Sequence, residues 1–317
     1  VDPNYLARAD RYAREEAPHI GGMMVVRHGC VVFERYYREF TAGSYFSVAS
    51  VTKSVLSALT GIALRDGLLA SIDQPTADFF PGADTHGLTL RHLLTLTAGW
   101  PYRDFMERSE TVPAILGEPL PDAPGARFRY GENPPHLLSA ILGKVSGGSA
   151  AEFARRELFA PLGMWRGAEG WDQAPSTVNR GGVWPASGLP WKCDQDGVSG
   201  GGFGLHLTIA DMARFGLLYA SGGSWAGRQI VPADYVAEST RAHSRGGSPM
   251  WMPYGWMWWV PAWHKHGSIL AAGYGGQIIY VNSSLDLVIA VAGSGGGQTL
   301  APWEVLERYL ISAVQDW

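Results

Sequence analysis

Only two cysteines, Cys30 and Cys193, occur in 317 residues. That excludes a disulfide-stapled scaffold and a cysteine-built metal site, and leaves one bridge between the two open. Lysine is also scarce, at four. The other basic residues are arginines scattered along a chain of net charge −4. Without a basic block there is no electrostatic footprint for nucleic acid or an anionic membrane surface. No apolar run reaches the ~18 residues of a membrane-spanning helix. The nine histidines show neither H-x-x-x-H nor H-E-x-x-H spacing, and His264 and His266, two apart, read as a surface pair or pocket wall. No metal and no cofactor is expected. No signal peptide is visible, and Val1 is compatible with a removed leader or initiator methionine. The expectation is a soluble protein, in a bacterial cytoplasm or exported with its leader removed, of open oligomeric state.

What is abundant points to a packed globule with many turns. The chain is 46% hydrophobic and holds 41 glycines, 20 prolines and 13 tryptophans. Residues 4–17 read as an amphipathic helix. The runs Met23–Arg27 and Val31–Tyr37 flank His28-Gly29 and read as a β-hairpin. Helices are expected at 90–96 behind Thr89, at 134–145 between Pro134 and Gly147, at 150–158, at 209–220 behind the Thr208–Asp211 capping box, and at 232–240. Residues 163–204, rich in Trp, Gly and Pro, read as a long functional loop or a structural aromatic layer. Residues 254–260, 269–272, 277–281 and 287–292 read as strands, and 303–314 as a closing helix. Strands at both ends and helices between them predict an α/β (α+β) fold. One antiparallel sheet would come from 1–42 and 250–317, flanked by the terminal helices, with a mainly helical region at 43–249.

The stretch that carries chemistry is Ser50-Val-Thr-Lys53. After Ser50, Val51, Val55, Leu56, Leu59, Ile62 and Ala63 recur at helical spacing up to Gly67. A serine at the first turn of such a helix meets unpaired backbone N–H groups and the positive end of the dipole. A lysine three residues on shares its face and reaches the hydroxyl. About 0.3 such S-x-x-K matches are expected by chance here, so the motif alone is weak.

Five segments together resemble the serine β-lactamase and penicillin-binding-protein superfamily. They are F-S-V-A-S-V-T-K at 46–53, L-R-H-L-L-T-L-T-A-G at 90–99, F-R-Y-G-E-N at 128–133, the glycine-rich run from Gly200 to Gly216, and A-G-Y-G-G-Q at 272–277. The similarity is greatest to the class C β-lactamase-like hydrolases, the branch of family VIII esterases and 6-aminohexanoate-dimer hydrolases. It implies a β-lactamase/transpeptidase-like fold and a serine hydrolase. Ser50 would form an acyl-enzyme, Lys53 would take its proton, and Tyr130 would relay it to the leaving group. The oxyanion hole would be the backbone N–H groups of Ser50 and Gln277.

Two departures from the family bear on substrate. The usual Tyr-Ser-Asn or Ser-Asp-Asn is here Tyr130-Gly131-Glu132. The usual Lys-Thr-Gly is here Tyr274-Gly275-Gly276, which lacks the ammonium that holds a substrate carboxylate. The expectation is therefore a carboxylesterase acting on a small ester or amide. Hydrolysis of amide dimers or D-amino-acid peptides, β-lactamase activity, and a catalytically dead sensor module are the alternatives. Glu132 would pair with Lys53, select an amine on the substrate, or stand solvated at a helix start. Tyr274, Gly275 and Gly276 would line the substrate site. Trp251, Trp256, Trp258, Trp259 and Trp263 would suit an apolar acyl group. A competing nucleophile, Ser199 in Gly197-Val-Ser199-Gly-Gly201, lacks the flanking strand and helix that a nucleophile elbow requires.

Overall fold

The computed structural model describes residues 1–101, 111–166, 182–262, 267–294 and 301–314. In chain order the elements are α1 (Pro3–Glu15), β1 (Ile20–Arg27), β2 (Cys30–Tyr36), β3 (Phe46–Ser47), α2 (Val51–Arg65), α3 (Leu90–Leu94), α4 (Val112–Leu116), α5 (Asn133–Ser146), α6 (Ala150–Ala154) and α7 (Ala160–Leu162). Then follow β4 (His206–Leu207), α8 (Ile209–Ala220), β5 (Ser224–Trp225), β6 (Arg228–Gln229), α9 (Ala233–Ser239), β7 (Ser244–Gly247), β8 (Met252–Tyr254), β9 (Ser268–Gly273), β10 (Gln277–Asn282), β11 (Leu287–Gly293) and α10 (Ala301–Glu304). A π-helical turn joins α6 to α7, and another, Val305–Ile311, extends α10. The tight β1–β2 turn needs left-handed backbone at both of its residues, and His28 and Gly29 supply φ of 50° and 71°.

The two chain ends build one antiparallel sheet in the order β2-β1-β11-β10-β9. Its strands alternate between two cores because successive side chains leave a strand on opposite faces. On β11, Leu287, Ile289 and Val291 join the core under α1 and the C-terminal helix. Val288, Ala290 and Ala292 join the core that contains α8, α2 and α5. The sheet is thus covered on both faces, as its near-continuous apolar runs require. From the expected helical region, α8 packs directly on β10 and β11. This close approach depends on Gly216, where a Cβ would stand 2.5 Å from Val288 Cγ1 and 3.0 Å from Ile279 Cγ2.

Helix α2 is the centre of the larger core. Every residue from Val51 to Ala63 is buried, the condition of a helix surrounded by protein on all sides. Its polar side chains are satisfied inside: Ser54 Oγ donates to Met257 O at 2.7 Å, and Thr60 Oγ1 donates to Leu56 O at 2.9 Å. Helix α5 packs beside α2 and ends at Gly147, whose φ of 75° makes the left-handed cap. Cys30 is exposed and Cys193 buried, and both are free thiols. Among the described residues no helix is long and apolar enough to cross a membrane.

The helix–sheet contact gives a direct test. Gly216→Val should cost ~1–3 kcal/mol by overpacking against Val288 and Ile279. Urea unfolding of both proteins checks it, and an unchanged midpoint would mean that α8 can ride away from the sheet.

Candidate active site

Ser50 stands immediately before the first residue of α2, with Ala49 before it in the left-handed region at φ 47°. A non-glycine residue held there is strained, and such positions persist where surrounding packing over-determines them. Here that packing is the edge of the sheet. A Cβ at Gly273, the last residue of β9, would lie 2.3 Å from Val48 O and 3.2 Å from Ala49 Cβ. The turn before Ser50 and the sheet edge touch only because Gly273 has no side chain.

Lys53 is 1% exposed, and its amine has four oxygens around it. Nζ lies 3.1 Å from Ser50 Oγ, 2.9 and 3.1 Å from Glu132 Oε1 and Oε2, and 3.1 Å from Gly202 O. It also sits 4.7 Å from the ring centroid of Tyr130, a cation–π contact. The Glu132 side chain is only 6% exposed. Glu132 is therefore a buried partner of Lys53, which corrects the solvated-acid reading. Three segments far apart in sequence meet on this one amine. The glycine run, named in the sequence only as part of the resemblance, contributes Gly202 O to the site.

Tyr130 enters the cluster by its ring. It stacks on Trp259 at 5.4 Å and meets Tyr254 edge-on at 6.3 Å, with Phe128 tilted against it at 6.5 Å. Burial, reinforced by the neighbouring Tyr130 and Glu132, pushes the Tyr254 hydroxyl well above the ordinary phenol range. Of the tryptophans expected around an acyl group, Trp256 and Trp258 are core residues, packed on Tyr235 and on Phe215 and Tyr219. Trp259 backs Tyr130, and Trp251 is 79% exposed at the β7–β8 turn. Trp263, His264 and His266 lie outside the described residues.

The parity of β9 fixes which strand groups face outward. Leu270 exchanges both backbone bonds with Trp259, at 2.9 and 3.0 Å, on the side away from β10. Alternation then turns Ala272 and Tyr274 outward, and Gly273 toward Gln277, its partner across the β9–β10 turn. Gln277 Nε2 donates to Gly293 O at 2.8 Å, further into the sheet. Gln277 is therefore turned away from the edge that meets Ala49, contrary to the oxyanion role expected for its backbone. Gly275 and Gly276 occupy the turn at φ 81° and 86°. A Cβ on Gly276 would strike Pro302 Cγ at 2.3 Å, so its lack of a side chain serves packing against α10.

A second buried cluster holds the glycine run in place. His136, one turn into α5, lies 3.1 Å by Nε2 from Asp194 Oδ2 and accepts from Gly201 N at 3.4 Å through Nδ1. Ser139 Oγ donates to Ser199 O, and Trp191 Nε1 donates to Gly200 O. The Ser199 hydroxyl accepts from Ala151 N and is 2% exposed, so it is a structural group. Among the described residues no cluster of His, Cys, Asp and Glu could hold a metal.

The fold and this Ser–Lys constellation define a serine hydrolase of the β-lactamase-like type. The beta-lactamase family profile matches residues 10–302. The chain belongs to the beta-lactamase family. It is 28% identical over 140 residues to penicillin-binding protein 4* of Bacillus subtilis (strain 168), covering 40% of this chain and 31% of that protein. A solved structure described as a putative 6-aminohexanoate-dimer hydrolase from Bacillus anthracis superposes with a TM-score of 0.76 at 18% identity, over 93% of this chain and 79% of that one. A penicillin-binding-protein homologue from Caulobacter crescentus gives 0.76 at 18%, over 98% and 97%. EstCE1, described as a hydrolase with promiscuous acyltransferase activity, gives 0.73 at 17%, over 98% of each chain.

Two outcomes are expected. Gly202→Ala would put a methyl 1.4 Å from Glu132 Oε2 and 3.0 Å from Lys53 Nζ. The displaced amine should cost on the order of 10²-fold in the rate of Ser50 labelling by a fluorophosphonate. Labelling at the wild-type rate would show that the amine tolerates displacement. The second concerns His206 on β4, which pairs with Ser47 of β3 just before the nucleophile turn. Burial lowers its pKa from 6.5 to about 4, so the folded chain keeps it neutral where the unfolded chain takes up a proton. Stability should fall by roughly 3 kcal/mol as pH drops from 6.5 to 4 on this account. Urea unfolding across that range should show a shallower pH dependence in His206→Gln.

Proposed function

We propose that this protein is a carboxylesterase in which Ser50 forms the acyl-enzyme. The observation that carries the reading is Ser50 Oγ at 3.1 Å from Lys53 Nζ, at the start of a buried helix. A serine hydroxyl becomes nucleophilic when a neighbouring base takes its proton as it attacks. Lys53 is the base within reach. The oxygen of the attacked carbonyl would become an anion between the backbone of Ser50 at the α2 turn and the edge of β9. In this reading its donors are Ser50 N–H and, by the parity of the strand, Tyr274 N–H. Tyr130 borders the amine and would carry its proton to the leaving alkoxide. Water then repeats the sequence on the acyl-enzyme and frees Ser50.

The substrate class follows from what lines the approach. Tyr274-Gly275-Gly276 offers no cation to a substrate carboxylate. The half-buried rings of Phe128 and Tyr130, backed by the buried Tyr254 and Trp259, offer apolar surface. Both features favour an uncharged ester of small or medium acyl chain.

The test is turnover of a short-chain p-nitrophenyl ester by wild type and Ser50→Ala, with nitrocefin in parallel. The wild type should hydrolyse the ester, and Ser50→Ala should lose on the order of 10³-fold or more, with little nitrocefin cleaved by either. Strong nitrocefin turnover would put β-lactam hydrolysis first, and ester turnover unchanged in Ser50→Ala would remove the nucleophile.

A further inference from the structure

An ammonium has three hydrogens, and all three have acceptors here: the Glu132 carboxylate, Gly202 O and Ser50 Oγ. In that state Lys53 donates to the serine, the wrong direction for a base. It can accept the serine proton only after giving one up. Of its neighbours, a backbone carbonyl, a hydroxyl that must itself lose a proton, and a carboxylate, only the carboxylate can take that proton.

We propose that Glu132 is the proton acceptor that converts Lys53 into a base, acting through Lys53 on the Ser50 and Tyr130 of the reading above. The inference rests on the Ser50–Lys53 reading above. The free enzyme holds Lys53 as ammonium and Glu132 as carboxylate. One proton crosses the 2.9 Å from Nζ to Oε1, giving amine and carboxylic acid with no change in net charge. Burial makes this exchange accessible, because a desolvated ion pair loses much of its advantage over the neutral pair. The closure is tight: no side chain fits at Gly202 against Oε2.

The neutral amine then points its lone pair at Ser50. Oγ bonds to the carbonyl carbon, the Oγ proton moves to Nζ, and the carbonyl π pair moves to oxygen. When that pair returns, the bond to the leaving group breaks, and the proton now on Nζ passes through Tyr130 to the departing oxygen. Lys53 is again a neutral amine, ready to take a proton from the deacylating water. Glu132 keeps its proton throughout the cycle and returns it in the free enzyme. The titratable groups that face the pair are Tyr130 and, from β8, Tyr254; the glycine run contributes only backbone.

The experiment measures the acylation rate from pH 6 to 9 in wild type, Glu132→Gln, Glu132→Asp and Ser50→Ala, using the burst of p-nitrophenol. In the wild type the proton stays within the pair, so Glu132 imposes no pH dependence. In Glu132→Gln, Lys53 must lose its proton to solvent. Its rate should fall on the order of 10²-fold at pH 7, and the deficit should narrow about tenfold for each pH unit gained. Glu132→Asp should recover part of the rate. Glu132→Gln within threefold of wild type throughout, or a deficit that stays constant with pH, overturns the proposal, since a purely structural carboxylate gives one or the other. A burst that persists in Ser50→Ala instead overturns the nucleophile assignment, a distinct failure.

Discussion

The buried amine of Lys53 is the constraint on which the site depends. A charge removed from water is tolerated only when it is paired and hydrogen-bonded, and taking away one partner leaves it uncompensated. Its partners come from the start of α2, the start of α5 and the glycine run before β4. Each segment is held by neighbours of its own. Helix α2 is buried on every side, α5 packs beside it, and the glycine run is tied down by His136, Ser139 and Trp191. The polar centre therefore fixes the relative position of segments that hydrophobic packing alone would place less exactingly.

The sheet supplies the other wall. Its two-faced alternation buries one side under the terminal helices and the other under α8, which makes it a rigid edge rather than a flexible flap. That edge reaches the nucleophile turn because Gly273 presents bare backbone to Val48 and Ala49. The left-handed Ala49 is the counterpart on the helix side. The bare glycine and the left-handed alanine fall where the two layers meet beside Ser50.

Local features were legible in the sequence because their causes are local. The His28-Gly29 turn, the Thr208 capping box and Gly147 after α5 each act over four or five residues. The sheet assembled from both chain ends was legible from strand pattern together with the family resemblance. The Lys53–Glu132 pair remained one of three open readings, because the partners stand 79 residues apart and nothing in the spacing orients Glu132. Gln277 illustrates a different limit. The segment was identified, but which of its N–H groups faces outward depends on strand parity, and parity is set by Leu270 bonding to Trp259. Trp256 and Trp258 mark the same limit for side chains, since composition alone does not separate a core indole from a pocket wall.

The two departures from the family pattern act together when read as charge. Replacing the usual amide by Glu132 adds a carboxylate beneath the amine, and replacing the usual Lys-Thr-Gly by Tyr274-Gly275-Gly276 removes a cation from the strand. Among the described residues, a site that would otherwise carry two cations facing a substrate carboxylate carries one, Lys53, already neutralised by its neighbour. An anionic substrate would enter against this balance with no partner for its carboxylate, and its desolvation would go uncompensated. A neutral ester brings no such cost, and the ring cluster around Tyr130 gives its apolar part somewhere to pack. In the proposed reading, the same substitution that tunes the base chemistry also narrows the substrate, because both operate through the charge around one lysine.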